Sequence, residues 1–552
     1  MLSVIQPRVG LWWLAWVSWV PFVLVCRPAA KLKQLAIIAY IVSLCYWLVN
    51  LYWVAPVTWP GWLAFCVYTA VLWPILVFAV QVCRAKKVPL FIALPILIVG
   101  VERLQGLFLG GFYWRFLGHS QYANITVIQI ADIFGAAGVS FLVGMVNGLA
   151  AELIIAVREK KIFKTGNFFK TAVVCAAAAG AVIYGRWRIG QTEQFIEAGP
   201  LVGSVQSNVP QSVKESLQES DAIFKELLKQ SKASAEAGAK LIVWPETMVQ
   251  ASLEPKVLNL LESSHSYRIF DSALREHSKG SGVFVLVGAY GGLPEIEEDW
   301  TISLTSRYNS AYLYRPDGQQ APEQYNKIHL VPFGEFVPFK KSFPFLYNLL
   351  MKFTPYDYDY TLDAGSEYTV FEMSEGEGAK KLVYRFGVMI CYEDTVPGIA
   401  RRFARSEGGP PTTAFEGRRK NVNWLVNISN DGWFVRFKDG KVLASAELAQ
   451  HTAICVFRAV ENRLAVVRSV NTGISCVIDS LGRVRNGFSA GTLPSLAMAR
   501  TGCEGWLVDR VPVDKRSTIF SKYGQWLDIF CAGCVFLLII VSVVGRFIRN
   551  KK

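Results

Sequence analysis

Long uncharged apolar runs crowd the two ends of this chain, and a stretch of mixed strand and helix patterns separates them. Leu11–Cys26 is apolar and holds four Trp. Gln34–Val54 carries no charge over 21 residues, and Ala55–Cys83 carries none either, with two Pro near its start. Val88–Val101 follows and stops at Glu102, Ile125–Val157 is long and includes Asp132 and Glu152, and Thr171–Gly185 closes the group. About 20 apolar residues in a helix cross a bilayer. Residues 1–188 are therefore expected to form a membrane domain of about six transmembrane helices, the shorter ones extended by polar or aromatic flanks. Ile529–Gly545, followed by Arg546, Arg549, Lys551 and Lys552, predicts one more crossing within residues 523–547.

Charge fixes an orientation. The connections 27–33, 84–87 and 158–170 are basic, whereas the alternate connections 50–60 and 102–127 are not. Basic loops stay on the cytoplasmic side. Six crossings then carry residue 186 onward to the outer side, and the basic C-terminal tail returns the chain to the cytoplasm. The same count leaves the N-terminus outside. Residues 1–10 lack the basic start and the small-residue cleavage site of a signal peptide.

Residues 199–515 have ordinary composition and alternate between strand and helix. Strands are expected at Leu201–Gln206, Lys240–Trp244, Val283–Tyr290, Ala311–Tyr314, Lys381–Cys391, Trp424–Ser429, Leu464–Val470 and Ile474–Ile478, with helices at Ser212–Ala237 and Leu443–Val460. Apolar strands buried on both faces and interleaved with helices predict an α/β sandwich. Residues 405–421, polar and rich in Gly, Pro and basic groups, read as an inserted loop.

The totals agree with this division. Of 552 residues, 52% are hydrophobic and 18% charged, and 17 are Trp. The net charge of +14 is spent bracketing apolar segments, so it does not indicate nucleic-acid binding. Eleven Cys are scattered, seven of them in or beside apolar segments, and Cys531 and Cys534 lie together within one such segment. No disulfide framework is indicated. The five His show no HExxH or HxxxH spacing. Neither a catalytic metal nor any other cofactor is expected.

Three strand ends carry reactive side chains. Pro245 ends the run Ile242–Trp244, so Glu246 stands at a rim. Tyr325–Pro338 (YNKIHLVPFGEFVP) brings Lys327 and Glu335 together among aromatics and prolines. The apolar run from Leu382 climbs into Cys391, directly followed by Tyr392, Glu393 and Asp394. A core cysteine closing a buried strand is the competing interpretation, and the acidic cluster after it counts against that. A carboxylate, a lysine and a thiol suffice for acyl transfer through a thioester. The carboxylate takes the thiol proton, the sulfur attacks an acyl carbon, and the ammonium stabilises the oxyanion.

These motifs, in this order, resemble the Glu-Lys-Cys triad of the nitrilase superfamily. With membrane helices on both sides, the HLVPFGEFVP form resembles a membrane-embedded branch of it, the apolipoprotein N-acyltransferases of bacterial envelopes. Asn427–Phe434 (NISNDGWF), Arg458–Glu461 (RAVE), Arg468–Gly473 (RSVNTG) and Gly111–Gly118 (GFYWRFLG) resemble further family segments. The resemblance runs from about residue 35 to the end. It implies a polytopic α-helical membrane domain joined to an α/β/β/α nitrilase-like sandwich. By residue, it implies Glu246 as general base, Lys327 as oxyanion partner and Cys391 as nucleophile. Glu335 would hold the lysine, and Tyr392 and Glu393 would help order the substrate. Asn309 matches an asparagine near the site and is expected mainly as a strand-edge hydrogen bond. His329 and Trp433 are expected to be structural, Trp433 in the core. The implied donor is a phospholipid and the implied acceptor a diacylglyceryl apolipoprotein, handled by a monomeric enzyme of the inner (cytoplasmic) membrane with its catalytic domain in the periplasm.

The chain departs from the family pattern in three places. Family members usually begin with one more membrane helix than is expected here, Glu215 stands where a Trp is common, and Gln105 where an Arg is common. Two other classes stay open at this point. One is a membrane-anchored nitrilase-type amidase whose thioester is resolved by water. The other is a transporter or scaffold, for which Asp132 and Glu152 inside apolar segments would be the evidence.

Overall fold

The computed structural model describes residues 1–107, 110–214, 219–296, 302–340, 342–352, 354, 360–376, 378, 381–405, 420–439 and 441–550. Most of the predicted 405–421 loop, and Glu215, lie outside the described residues. The chain forms two compact units: Met1–Thr192 with Thr518–Lys552, and Glu193–Ser517.

The first unit is helical. Among the described residues five helical stretches are long and apolar enough to cross a membrane: Leu32–Asn50, Trp59–Ala85, Ala136–Arg158, Thr165–Gly190 and Trp526–Gly545. The first predicted crossing is instead a 3-10 turn, Trp12–Val17, followed by the short helix Val20–Val25. Ile125–Val157, which hydropathy merges into one span, is three helices: Ile125–Ile128, Ala131–Phe134 and Ala136–Arg158. Gly135 breaks the run in a left-handed conformation (φ +69°). Hydropathy is blind to such a break, because glycine is apolar enough to pass. Glu102 does not end its helix, which runs Leu90–Gln105; its carboxylate accepts from the Leu117 N–H at 2.6 Å.

Small residues let these helices touch, as lipid-facing bundles require. A Cβ on Gly148 would lie 2.2 Å from the Leu90 carbonyl oxygen, and one on Gly100 2.7 Å from the Cys531 carbonyl oxygen. The buried acids are paired. Asp132 meets Arg188 Nε and Tyr184 Oη, both at 2.7 Å. Glu152 meets Lys170 at 3.2 Å and accepts from the Leu90 N–H at 2.8 Å. Both acids therefore have structural work that explains their cost in an apolar setting, and the transport reading loses its support.

Among the described residues the second unit has fifteen strands: β1 (Ile196–Gln206), β2 (Leu241–Val243), β3 (Val249–Ser252), β4 (Phe284–Ile296), β5 (Ile302–Tyr314), β6 (Gln320–Asn326), β7 (Val370–Glu375), β8 (Leu382–Ile390), β9 (Trp424–Ser429), β10 (Arg436–Lys438), β11 (Lys441–Leu443), β12 (Ala465–Val470), β13 (Cys476–Ile478), β14 (Ala490–Gly491) and β15 (Gly505–Asp514). One large sheet runs β14-β15-β1-β2-β4-β5-β6, with β3 beside β4, the other β13-β12-β9-β8-β7, and β10 and β11 pair antiparallel by themselves. The centres of both sheets are parallel: β1, β2 and β4 in one, β8, β9 and β12 in the other. The parallel-paired stretches of these strands are buried, as parallel strands covered on both faces must be, while the outer ends of β1, β4 and β8 are exposed. The sheets meet at β1 and β12. There the Ser469 hydroxyl lies 2.9 Å from the Val205 carbonyl and 2.8 Å from that of Val243. Helices Ser220–Glu236 and Ser266–Ser281 pack on the first sheet, and Pro397–Ala404 and Ala446–Asn462 on the second. The result is the α/β/β/α sandwich expected from the sequence.

The tight helix contact in the first unit is testable. Gly148→Val should force the Leu90 and Ala136 helices apart and cost about 1–3 kcal/mol, as overpacking does. The readout is thermal unfolding of the full chain in detergent. Gly180→Ala, where an added Cβ meets nothing within 4 Å, should not lower the midpoint. Equal losses in both would refute the packing account.

Candidate active site

Glu246, Lys327 and Cys391 sit just past the ends of β2, β6 and β8. The Glu246 turn is tight: Thr247 is left-handed (φ +47°), a strained state for a β-branched residue. Gly288 on β4 makes room for it, since a Cβ there would lie 2.7 Å from the Pro245 carbonyl oxygen and 2.8 Å from Glu246 Cα. Cys391 is also left-handed (φ +52°) and mostly buried. Such strain persists only where neighbours over-determine the backbone.

The Lys327 ammonium is fully buried between two carboxylates. Its Nζ is 2.8 Å from Glu335 Oε1 and 3.2 Å from Glu246 Oε1. Asn309 on β5 bridges the same two acids, its Nδ2 donating to Glu246 Oε1 at 2.7 Å and to Glu335 Oε1 at 2.9 Å. The expected strand-edge role is thereby corrected: the amide is aimed at the site and has no ladder function there. The second oxygen of each acid is held by backbone, Glu246 Oε2 by the Asn430 N–H and Glu335 Oε2 by the Val331 N–H, both at 2.8 Å.

The electrostatics favour one protonation state. Burial pushes the Glu246 carboxyl up, but Lys327, Lys214 and the Asn309 and Asn430 donors together more than offset it, so the group is held below the usual carboxylate range. Burial acts to lower Lys327, and Glu246 and Glu335 outweigh it, so the ammonium keeps its proton. Burial, with Glu246 next, raises the Cys391 thiol well above its ordinary value despite Lys327. The resting site is thus a neutral thiol, an ionised carboxylate and a charged lysine.

Glu393 is placed differently from the sequence expectation. It is fully buried and fully occupied. Its Oε1 accepts from the Ile328 N–H at 2.7 Å, the His329 N–H at 3.0 Å and Tyr325 Oη at 2.8 Å, and its Oε2 accepts from the Ile390 N–H at 2.7 Å. A carboxylate so enclosed cannot order a substrate by touching it. It ties the backbone beside Lys327 to the backbone before Cys391. Burial raises its pKa to about 7, while these donors and Lys327 pull the other way. Tyr392 is half-buried and stacks on the His329 ring at 5.9 Å between centroids. Trp433 is half-buried, not in the core.

Known sequences cover both units. Residues 201–494 match the family described as Carbon-nitrogen hydrolase. The chain belongs to the carbon-nitrogen hydrolase family. Residues 1–149 match the Apolipoprotein N-acyltransferase N-terminal domain. A relative named Apolipoprotein N-acyltransferase from Geobacter metallireducens is 29% identical, over 99% of this chain and 93% of its own. Another of that name from Bradyrhizobium diazoefficiens is 26% identical, over 84% of this chain and 75% of its own. An amidase from Nesterenkonia sp. of known structure aligns at 15% identity and a TM-score of 0.35, over 58% of this chain and 92% of that one.

Within this carbon-nitrogen hydrolase unit, sequence reasoning missed two groups. Lys214 lay in a stretch singled out only for the residue after it, yet its ammonium reaches the Glu246 turn. The other group is a buried charge cluster behind Cys391. His451 Nε2 is 2.7 Å from Asp394 Oδ1, and its Nδ1 is 3.3 Å from Asp431 and 3.4 Å from Glu447; Arg468 pairs with Asp394. Asp431, Glu447 and His451 offer three potential metal-ligand atoms within 4.8 Å. The His-to-Glu447 spacing is i,i+4 on one helix, a signal that a search for His pairs passes over. Arg468 and a protonated His451 already supply countercharge. Against the burial that lowers it, Asp394 and Asp431 raise the imidazole to about 10, and burial holds Glu447 well above the usual carboxylate range.

Two predictions follow from these two anchors. Glu393→Gln puts an amide N–H₂ against N–H donors. It should cost about 1–3 kcal/mol of stability and slow the enzyme with little change in apparent substrate affinity. A large loss of affinity alone would return Glu393 to substrate binding. A histidine raised in the folded state stabilises fully below its unfolded pKa and loses that contribution as pH climbs through the folded one. Stability should therefore fall from about pH 6.5 towards pH 10, and His451→Gln, less stable at neutral pH, should lack that alkaline decline in thermal unfolding. A variant that keeps the same slope would sink the assignment.

Proposed function

We propose that the protein is an apolipoprotein N-acyltransferase that moves an acyl chain from a phospholipid, through a thioester on Cys391, to the N-terminal amine of a diacylglyceryl-cysteine lipoprotein. The observation that carries this reading is the buried Lys327 ammonium held between Glu246 and Glu335 at the strand ends that also present Cys391. The match of residues 1–149 to the N-acyltransferase N-terminal domain favours it over a small-amide hydrolase.

In the first half-reaction Glu246 takes the Cys391 proton as sulfur attacks the ester carbonyl. Lys327 faces the oxyanion. The S–C bond forms, the ester C–O bond breaks, and the lysophospholipid alkoxide leaves with the proton from Glu246. In the second half-reaction the lipoprotein amine attacks the thioester. The N–C bond forms, the C–S bond breaks, and Glu246 passes the amine proton to sulfur. Because thiol and carboxylate are neutral and charged at rest, the base is ready and the nucleophile is made only as it is used.

Both substrates are lipids, so the site must serve a membrane surface. The helix Pro344–Met351 buries none of its residues, and Phe343 just before it and Phe345 in its first turn are 62% and 84% exposed, which fits contact with acyl chains. The basic loops 27–33, 84–87 and 158–170 support a catalytic unit on the periplasmic side of the inner membrane, and a monomer is part of the proposal because Glu246, Lys327 and Cys391 all come from one chain.

Incubated with phospholipid alone, the full chain should gain one acyl group on Cys391, seen by intact-mass and peptide mass spectrometry. Cys391→Ala should gain none, and Glu246→Gln should acylate about 10²–10⁴-fold more slowly. An adduct that persists without Cys391, or turnover of a small amide without lipid, would overturn the proposal.

A further inference from the structure

Lys214 is a lysine in a place where lysines are rarely found. It ends the short helix Gln211–Lys214 and is only 4% exposed. Burying an ammonium is costly unless its donors are used. The Lys214 ammonium donates to the Thr247 hydroxyl and lies 3.4 Å from the Glu246 carbonyl oxygen. Its own carbonyl accepts from the Gln250 side chain. One residue thus grips the middle of the Glu246 turn and the strand β3 that follows it.

That turn needs holding. Thr247 is left-handed, which a β-branched residue resists. The turn is pressed so closely on Gly288 that a Cβ there would lie 2.7 Å from Thr247 N. If the turn relaxed towards ordinary backbone angles, the Glu246 carboxylate would swing off Asn309 and Lys327. The groups that face that carboxylate from neighbouring elements are Lys327, Asn309 and the Asn430 N–H, with Glu335 and Cys391 beside them. Lys214 is the second cation acting on it.

We propose that Lys214 is a positioning residue for Glu246: it clamps the left-handed turn that aims the carboxylate at Lys327 and Cys391. This rests on the reading of Glu246 as the base. Lys214 holds the geometry through Thr247 and, as a fixed positive charge, favours the ionised carboxylate that the base must be.

The test is single-turnover acylation of the full chain in phospholipid–detergent micelles, followed by mass spectrometry across a pH series. Lys214→Met should slow acylation roughly 10- to 100-fold and move the acid limb of the rate profile to higher pH, because a cation that favours the carboxylate is gone. Adding Thr247→Gly to that variant should recover part of the rate, since glycine adopts the left-handed turn unaided, but not the position of the limb. If Lys214→Met does not fold, Lys214→Gln, which keeps a donor without the charge, should still move the limb. An unchanged rate and limb in whichever variant folds, with Glu246→Gln inactive, overturns the proposal for Lys214. Glu246→Gln that keeps both rate and acid limb overturns the base assignment itself.

Discussion

An ammonium taken out of water is tolerable only where anions meet it, and Lys327 meets two. Isolated burial of such a charge would cost several kcal/mol after relaxation. Glu335 at 2.8 Å and Glu246 at 3.2 Å remove that penalty only if β2, β6 and the 331–336 turn are brought to one point. Asn309 from β5 then ties the two acids together. The ion cluster therefore ties four pieces of backbone to one point, and the same groups that satisfy the lysine are those a thioester mechanism needs. With Glu246, Glu335, Lys327 and Lys214 ionised the set is close to neutral. Moving a proton from Cys391 to Glu246 shifts negative charge across the site without adding any, and Lys327 stays within reach of it throughout.

Cys391 depends on a second constraint. Its left-handed backbone is unfavourable, and the pull of Glu393 on the Ile390, Ile328 and His329 N–H groups holds the adjoining peptides in place. Behind it, Ser429 donates to Asp431 at 2.6 Å, and Asp431 belongs to the His451–Asp394–Arg468 cluster. The paired members of this buried network stiffen the segments they join, although Asp431 Oδ2, Glu447 Oε2 and Arg468 Nε and Nη2 meet no hydrogen-bond partner among the described residues. Cys391 thus sits on a braced loop, and the orientation of its sulfur does not have to be found anew for each substrate of the proposed reaction.

The sequence made the strand ends visible because apolar runs that stop at Pro245, or pass directly into Cys391, have a local signature. The sandwich followed from buried strands alternating with helices. What escaped notice lacks such a signature. Strand β6, Gln320–Asn326, is polar and contains Pro322, which removes a ladder donor; it is tolerated because β6 is the last strand of its sheet. The clamp by Lys214 and the brace by Glu393 are side-chain-to-backbone bonds between segments 32 to 65 residues apart. No periodicity encodes them. Hydropathy also merged three helices into one at 125–157, since only the φ angle of Gly135 separates the last two.

The opposed pKa shifts of Cys391 and Glu246 bear on how the proposed enzyme would wait. A raised thiol beside a lowered carboxylate makes ground-state proton transfer unfavourable, so a free thiolate does not accumulate in the empty site. The transfer becomes favourable only when an acyl carbonyl is present to carry the charge as an oxyanion facing Lys327. Once the thioester has formed, the sulfur carries no charge and Glu246 can return to the ionised state that Lys327 favours. It is then ready to accept a proton from an incoming amine. Water could use the same base, so the acylated state survives only if its surroundings stay apolar.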